Sequence, residues 1–259
     1  TRRIVVTKKS SIVFLHGLGG SRADWAPVVA LLPKSRKALA VDLPGAGAAE
    51  KPPKGYDPAS LARWLASFLE KEKLDGVVLV GHSLGARVAG ELAASEPSRL
   101  SGLVLVSPLG AVSYKLTDKL KWKAMSRRSI LSAVPESSMR NASGYGFAVD
   151  GPGKKGFVER ALASRTGKEG DAIARAVEGS VDGILEARPL AERLKGTTVP
   201  LLLVSGALDP LAPPEETKAI LRARPDAKFE LLTGLGHYPM LEDPPRIAKL
   251  IEEFVTRAK

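Results

Sequence analysis

Seven short, almost unbroken apolar runs punctuate the chain: Ile4–Thr7, Ser11–Leu15, Ala38–Val41, Val77–Val80, Leu103–Val106, Leu201–Ser205 and Phe229–Leu232. Their hydrophobicity is continuous rather than alternating. A strand with one wet face alternates apolar and polar residues, whereas a strand covered on both faces does not. The runs therefore predict a mainly parallel sheet sandwiched between helices. The intervening stretches have a helical period. Over Asp57–Glu72, the residues Leu61, Trp64, Leu65, Phe68 and Leu69 fall at i, i+3, i+4, i+7 and i+8 and make one apolar stripe. Pro245–Arg257 repeats the pattern with Ile247, Leu250, Ile251 and Phe254. Strand and helix in alternation predict an α/β fold with a doubly wound, mainly parallel sheet.

The alternation lapses between Ala111 and Leu190. This segment is rich in Ser, Lys, Arg and Gly, contains Gly151-Pro152-Gly153, and shows helical patches without a convincing strand. It is too long for a structureless loop in a compact domain. The expected organisation is a core of residues 1–110 and 191–259 with a helical insertion at 111–190.

A chain of 259 residues is long enough to bury one large core of this kind. No stretch approaches the roughly 18–20 apolar residues of a membrane span. The first residues, Thr1–Lys9, carry two arginines but no signal-peptide core, so a cytoplasmic location is the default expectation. Cysteine is absent, which removes disulfides, thiolate catalysis and cysteine-ligated metals. The three histidines, His16, His82 and His237, lie far apart without metal-site spacing. No metal and no cofactor is expected. The net charge of +11 is partly local, since Lys115–Arg128 holds six basic residues against the single acid Asp118. No nucleic-acid motif accompanies it, so the excess reads as a solvated basic surface and not as a nucleic-acid site.

One motif changes the picture from fold to chemistry. Gly81-His82-Ser83-Leu84-Gly85 directly follows the apolar run Val77–Val80 and precedes the helical stretch Ala86–Ala93. A serine hydroxyl is a poor nucleophile until a fold presents it and supplies a base. A sharp strand-to-helix turn lifts the hydroxyl out of the helix and aims the helix's free N–H groups at it. Such a turn crowds the backbone on both sides, which calls for glycine at positions 81 and 85.

Three further blocks stand in order around it. They are Phe14-Leu15-His16-Gly17-Leu18-Gly19-Gly20-Ser21 followed by Trp25, then Val204-Ser205-Gly206-Ala207-Leu208-Asp209-Pro210, then Gly236-His237-Tyr238-Pro239-Met240-Leu241-Glu242. With these four blocks the chain resembles the serine-nucleophile, carboxylesterase-like members of the α/β-hydrolase superfamily over nearly its whole length. The order Ser…Asp…His is the one that fold uses. The resemblance implies Ser83 as nucleophile, His237 as general base and acid, and Asp209 as the group that orients the imidazole. It also implies an oxyanion hole built from the backbone N–H groups of Leu18 and Leu84. Relatives that place the acid one strand earlier have a carboxylate there; Val106-Ser107-Pro108-Leu109 has none, which favours Asp209. His16 is expected to tie down the first loop, His82 to pack beside the nucleophile, Asp42 to stabilise a loop, and Glu242 and Asp243 to cap the closing helix. Many family members carry two strands before the first block. Only about ten residues precede Ser11, so an edge strand is expected to be missing.

A serine at the turn implies acyl transfer through an acyl-enzyme and excludes the aspartate-based opening of epoxides or displacement of halide. Hydrolysis of carboxylic esters with short to medium acyl or aryl groups is the first expectation, with a small-molecule ester as the partner. Hydrolysis of C–C bonds, lactones or thioesters, hydroxynitrile cleavage, and a slow-turnover small-molecule receptor all use the same parts. Apolar candidates for the pocket are Trp25, Leu109, Tyr114, Trp122, Met125 and Phe147, with Leu116 and Phe157 beside them.

Overall fold

The computed structural model describes residues 10–257. The strand expected at Ile4–Thr7 lies outside the described residues. Six strands form one sheet: β1 (Ile12–Leu15), β2 (Ala38–Val41), β3 (Val77–His82), β4 (Leu100–Val106), β5 (Leu201–Gly206) and β6 (Lys228–Leu232). Their order is β2-β1-β3-β4-β5-β6, and every neighbouring pair is parallel.

The continuous apolar runs are explained by helices on both faces. Successive side chains of a strand point to opposite sides. Val13 and Leu15 of β1, Leu79 of β3, Leu105 of β4 and Leu203 of β5 enter one core with α2 (Pro58–Lys71) and α3 (Leu84–Ser95). Also on that side are α9 (Leu190–Leu194) and α10 (Pro214–Ala223). The alternate residues Ile12, Phe14, Val80, Val104 and Val204 enter a second core with α1 (Ala26–Leu31), α11 (Pro239–Glu242) and α12 (Pro244–Arg257). The inner strands β1, β3, β4 and β5 are buried along their whole length, while the edges β2 and β6 are partly exposed.

Helix α2 starts where its sequence signals predict, with the Asp57 side chain accepting from Ser60 N at 2.9 Å and Pro58 in the first turn. Strand β4 begins three residues earlier than its apolar run. Ser101 hides that extension from a hydrophobicity pattern, yet it is buried at no loss, because its Oγ donates to Gly76 O at 2.6 Å.

Between β4 and β5 lie α4 (Leu116–Ser126), α5 (Arg128–Ala133), α6 (Glu136–Gly144), α7 (Pro152–Ala163) and α8 (Gly167–Glu186), with no strand among them. The basic stretch of α4 and α5 lies against acidic residues of α8: Lys123 pairs with Glu186 at 3.1 Å, Arg127 with Glu178 at 3.0 Å and Arg128 with Asp171 at 2.7 Å. Where the chain leaves the sheet and returns, the two segments are stitched by Leu190 N to Gly110 O at 2.8 Å and Ala191 N to Ala111 O at 3.2 Å. Arg87 of α3, fully buried, reinforces that point by donating to Gly110 O at 2.8 Å and Arg188 O at 2.6 Å while pairing with Glu91 at 2.5 Å. Glu91 in turn accepts from Arg193 at 2.9 Å.

Because all strands are parallel, the loops after β1, β3, β5 and β6 open at one edge of the sheet. The chain order reverses between β1 and β3, and in open α/β sheets ligands bind at such a switch point, outside the carboxyl ends of the strands.

Candidate active site

Ser83 occupies the turn between β3 and α3 with φ 54° and ψ −113°, a backbone conformation costly for a residue with a side chain. The surrounding structure holds it there. Its N–H donates to Val106 O at 2.9 Å, and its carbonyl accepts from Arg87 N at 3.0 Å. The flanking glycines are required by contact. A Cβ at Gly81 would stand 2.4 Å from Gly85 O, and one at Gly85 would stand 2.5 Å from Leu15 O and His16 O.

His237 follows β6 and is buried, with Nδ1 2.8 Å from Asp209 Oδ2. Asp209, also buried, accepts at Oδ1 from Leu211 N and Ala212 N, both at 2.8 Å. With the carboxylate accepting on both oxygens, His237 donates from Nδ1, and Nε2 is the ring nitrogen that Asp209 does not engage. The His237 N–H donates to Gly146 O, in the connection between α6 and α7, at 2.7 Å.

His82 joins the Ser83 turn to the histidine loop. Its Nε2 donates to His237 O at 2.8 Å, and its ring lies 4.8 Å from that of His237. Burial, and then the nearby His237, hold the His82 pKa well below its ordinary value, so the ring is neutral. Gly17 packs on the same turn: a Cβ there would fall 2.6 Å from His82 Nδ1 and 3.1 Å from Ser83 Cβ. His16 braces the loop after β1, donating from Nδ1 to Gly17 O at 2.8 Å and accepting at Nε2 from Leu43 N at 3.0 Å. Burial lowers its pKa as well. Asp42 accepts from Arg22 N at 2.7 Å and Ala48 N at 3.0 Å, tying two loops together at this edge. Asp24 accepts from Ser21 N at 3.1 Å and from Arg160 of α7 at 2.8 Å.

A cavity of about 240 Å³ adjoins the loops that carry this group, and neither Ser83 nor His237 lines it. From the core it is lined by Leu18, Gly19 and Tyr238, and from α5 to α8 by residues that include Leu131, Met139, Phe157 and Ile173. Of the expected pocket residues, Phe157 lines it, and Phe147 stacks on Tyr238 at 4.3 Å between ring centres. The others lie elsewhere. Trp25 is fully buried in the second core, its Nε1 donating to Leu15 O at 3.0 Å and its ring 5.0 Å from Phe14. Leu109, Tyr114 and Trp122 line a separate small cleft with Val181, Ile184 and Leu185 of α8. Met125 and Leu116 are exposed on α4. Hydrophobicity marks residues that leave water, and helix packing uses it as readily as a pocket does.

Glu242 departs from the role expected for it. Asp243 does cap α12, accepting from Arg246 N at 3.1 Å. Glu242 instead accepts from Gly236 N at 3.0 Å and Tyr238 N at 3.1 Å on either side of His237. It also accepts from Ala148 N and Val149 N of the α6–α7 connection, both at 3.0 Å. One carboxylate thus fastens the histidine loop to the segment above it. The two partners 94 and 93 positions away, Ala148 and Val149, leave no local signature.

The fold and the loop chemistry define a hydrolase-type α/β scaffold. The chain belongs to the Alpha/beta hydrolase family, whose sequence profile it matches over residues 12–250. It is 26% identical over 255 residues to a putative 2-succinyl-6-hydroxy-2,4-cyclohexadiene-1-carboxylate synthase of Bacillus subtilis (strain 168), covering 95% of this chain and 90% of that one. It is 27% identical over 262 residues to the Homo sapiens monoacylglycerol lipase ABHD6, covering 95% and 75%. Among solved structures, a thermophilic esterase from Thermogutta terrifontis superposes with a TM-score of 0.82 at 20% identity, covering 98% of each chain, which is a likeness of fold. No helix among the described residues is long and apolar enough to cross a membrane.

Proposed function

We propose that the protein is a serine hydrolase that cleaves carboxylic esters of short to medium acyl or aryl groups through an acyl-enzyme. The observation that carries this reading is the buried Asp209–His237 pair at 2.8 Å, held at the edge of the sheet where Ser83 sits in its constrained turn. In this mechanism Ser83 Oγ attacks the ester carbonyl carbon while His237 Nε2 takes the hydroxyl proton. The tetrahedral oxyanion is met by the backbone N–H groups of Leu18 and Leu84, each worth roughly 2.7–4 kcal/mol in comparable sites. Asp209 keeps the imidazole in the required tautomer and stabilises the imidazolium. The C–O bond breaks, and the alcohol leaves with the proton from His237. Water then attacks the acyl carbon, giving its proton to His237, and the acid departs as Ser83 regains its hydrogen.

Residues 111–190 act as a cap over Ser83, and the cavity between the cap and Leu18 takes the acyl group. The lipase and esterase names among the similar proteins support ester hydrolysis without fixing its substrate. The test is steady-state hydrolysis of p-nitrophenyl esters from acetyl to dodecanoyl by the parent and by Ser83→Ala. Multiple turnovers in the parent, lost in the variant and fastest for the shorter chains, support the reading. A single slow turnover favours a receptor on this scaffold. Equal rates in parent and variant overturn the role of Ser83.

A further inference from the structure

The cavity beside the candidate site contains one formal charge. Its walls are apolar apart from Ser143, Ser164, Arg165 and the phenol of Tyr238, and no carboxylate lines it. Arg165 sits in the turn between α7 and α8, and its guanidinium donates to Val134 O. Every other arginine in the 111–190 segment has an acidic partner: Arg127 with Glu178, Arg128 and Arg175 with Asp171, Arg140 with Glu159, Arg160 with Asp24, and Arg188 with Glu192. Among the described residues Arg165 has none. Among these arginines the pattern is selective, because the one that lacks a carboxylate is the one that lines the cavity.

A guanidinium carries five N–H donors in a planar fork suited to a carboxylate. A carbonyl acceptor leaves most of that capacity unused on a half-buried side chain beside an apolar cavity. We infer that Arg165 forms a carboxylate-binding subsite, and that the preferred substrates are esters whose acyl chain ends in a carboxylate beyond a hydrocarbon spacer. The inference rests on the proposed ester hydrolysis and adds its substrate class. The apolar walls from Leu18 to Ile173 take the spacer, the ester lies toward Leu18 and Tyr238, and the free carboxylate meets the arginine at the far end.

Two readouts test this. The first compares kcat/KM for mono-p-nitrophenyl adipate and for p-nitrophenyl hexanoate, esters of equal acyl length with and without the terminal carboxylate. The parent prefers the adipate ester. In Arg165→Gln that preference falls about tenfold, as expected for loss of a charge-assisted fork, chiefly through KM. Arg165→Lys keeps the charge without the fork and retains part of the preference. A change of less than about threefold in Arg165→Gln overturns the subsite, given the usual strength of such contacts. The second readout is calorimetric binding of adipate itself, which does not depend on turnover. If the parent hydrolyses neither ester but binds adipate in an Arg165-dependent manner, the esterase reading fails and the subsite stands. Adipate binding that is absent, or equal in parent and Arg165→Gln, overturns the subsite.

Discussion

Glu216 offers a test of the site's electrostatics that needs no substrate. It lies in the first turn of α10, with Tyr114 Oη 3.4 Å from its Oε2 and the Ala111 N–H donating to it, and Tyr114 in turn accepts from Gly110 N at 3.0 Å. Burial, with the negative charge of nearby Asp209 adding to it, pushes the Glu216 carboxyl up to about 7 from its ordinary 4.5. The unfolded chain ionises this group near 4.5, whereas the folded protein keeps its proton until about 7. Between those values the folded state binds more protons, so stability falls as pH rises through the window and levels off above it. The interval corresponds to about 3 kcal/mol. Glu216→Gln preserves an acceptor for Tyr114 and Ala111 but cannot ionise, so it escapes the loss. At about 2 °C per kcal/mol for a chain of this size, the Tm of the variant minus that of the parent rises by about 6 °C between pH 4 and pH 8.5. Differential scanning calorimetry of both proteins across that range gives the difference directly, and other titrations cancel in it. A difference that stays constant with pH refutes the argument and places the carboxyl at its ordinary value.

Three further outcomes follow from the geometry. Asp209→Asn leaves the fold intact but lowers kcat by roughly 10³–10⁴-fold, because an amide whose oxygen stays on Leu211 N and Ala212 N turns its NH₂ toward His237 and favours the wrong tautomer; stopped-flow assays with a good ester read this. Gly85→Ala drives a methyl into the backbone carbonyls of Leu15 and His16 and lowers Tm by about 6 °C, equivalent to about 3 kcal/mol of overpacking, as thermal melts show. Glu242→Gln keeps one acceptor oxygen for a group of four backbone donors and costs about 2 kcal/mol; faster hydrogen exchange at Gly236, Tyr238, Ala148 and Val149 is the specific signature.

Parts of the molecule were legible in the sequence because their causes are local. The doubly covered strands show as unbroken apolar runs, and the edge-to-centre difference appears only as the more mixed composition of β6, Lys228-Phe229-Glu230-Leu231-Leu232. The turn at Ser83 is written in its glycines, whose close contacts with Gly85 O and Leu15 O follow from the strand-to-helix geometry itself. Asp209 and His237 could be placed at one edge because parallel strands put every strand's exit on the same side. What stayed hidden depends on pairing across distance. Arg87 looks like an ordinary helix cation until its carbonyl partners at Gly110 and Arg188 arrive from either side of the helices α4 to α8. Glu242 and Arg160 likewise gain their meaning from residues 94 and 136 positions away. The cavity lining was the least legible, since Trp25 and Trp122 satisfy the same hydrophobic pattern in a core and in a helix–helix cleft as they would in a pocket.

The central claim is that Ser83 becomes covalently acylated. The direct measurement is intact-protein and peptide mass spectrometry after exposure to a fluorophosphonate, which phosphonylates an activated serine with loss of fluoride. The account predicts one adduct per chain, located on Ser83, absent from Ser83→Ala and slowed sharply in Asp209→Asn. An adduct on another residue, or labelling of Ser83→Ala at the parent's rate, contradicts it.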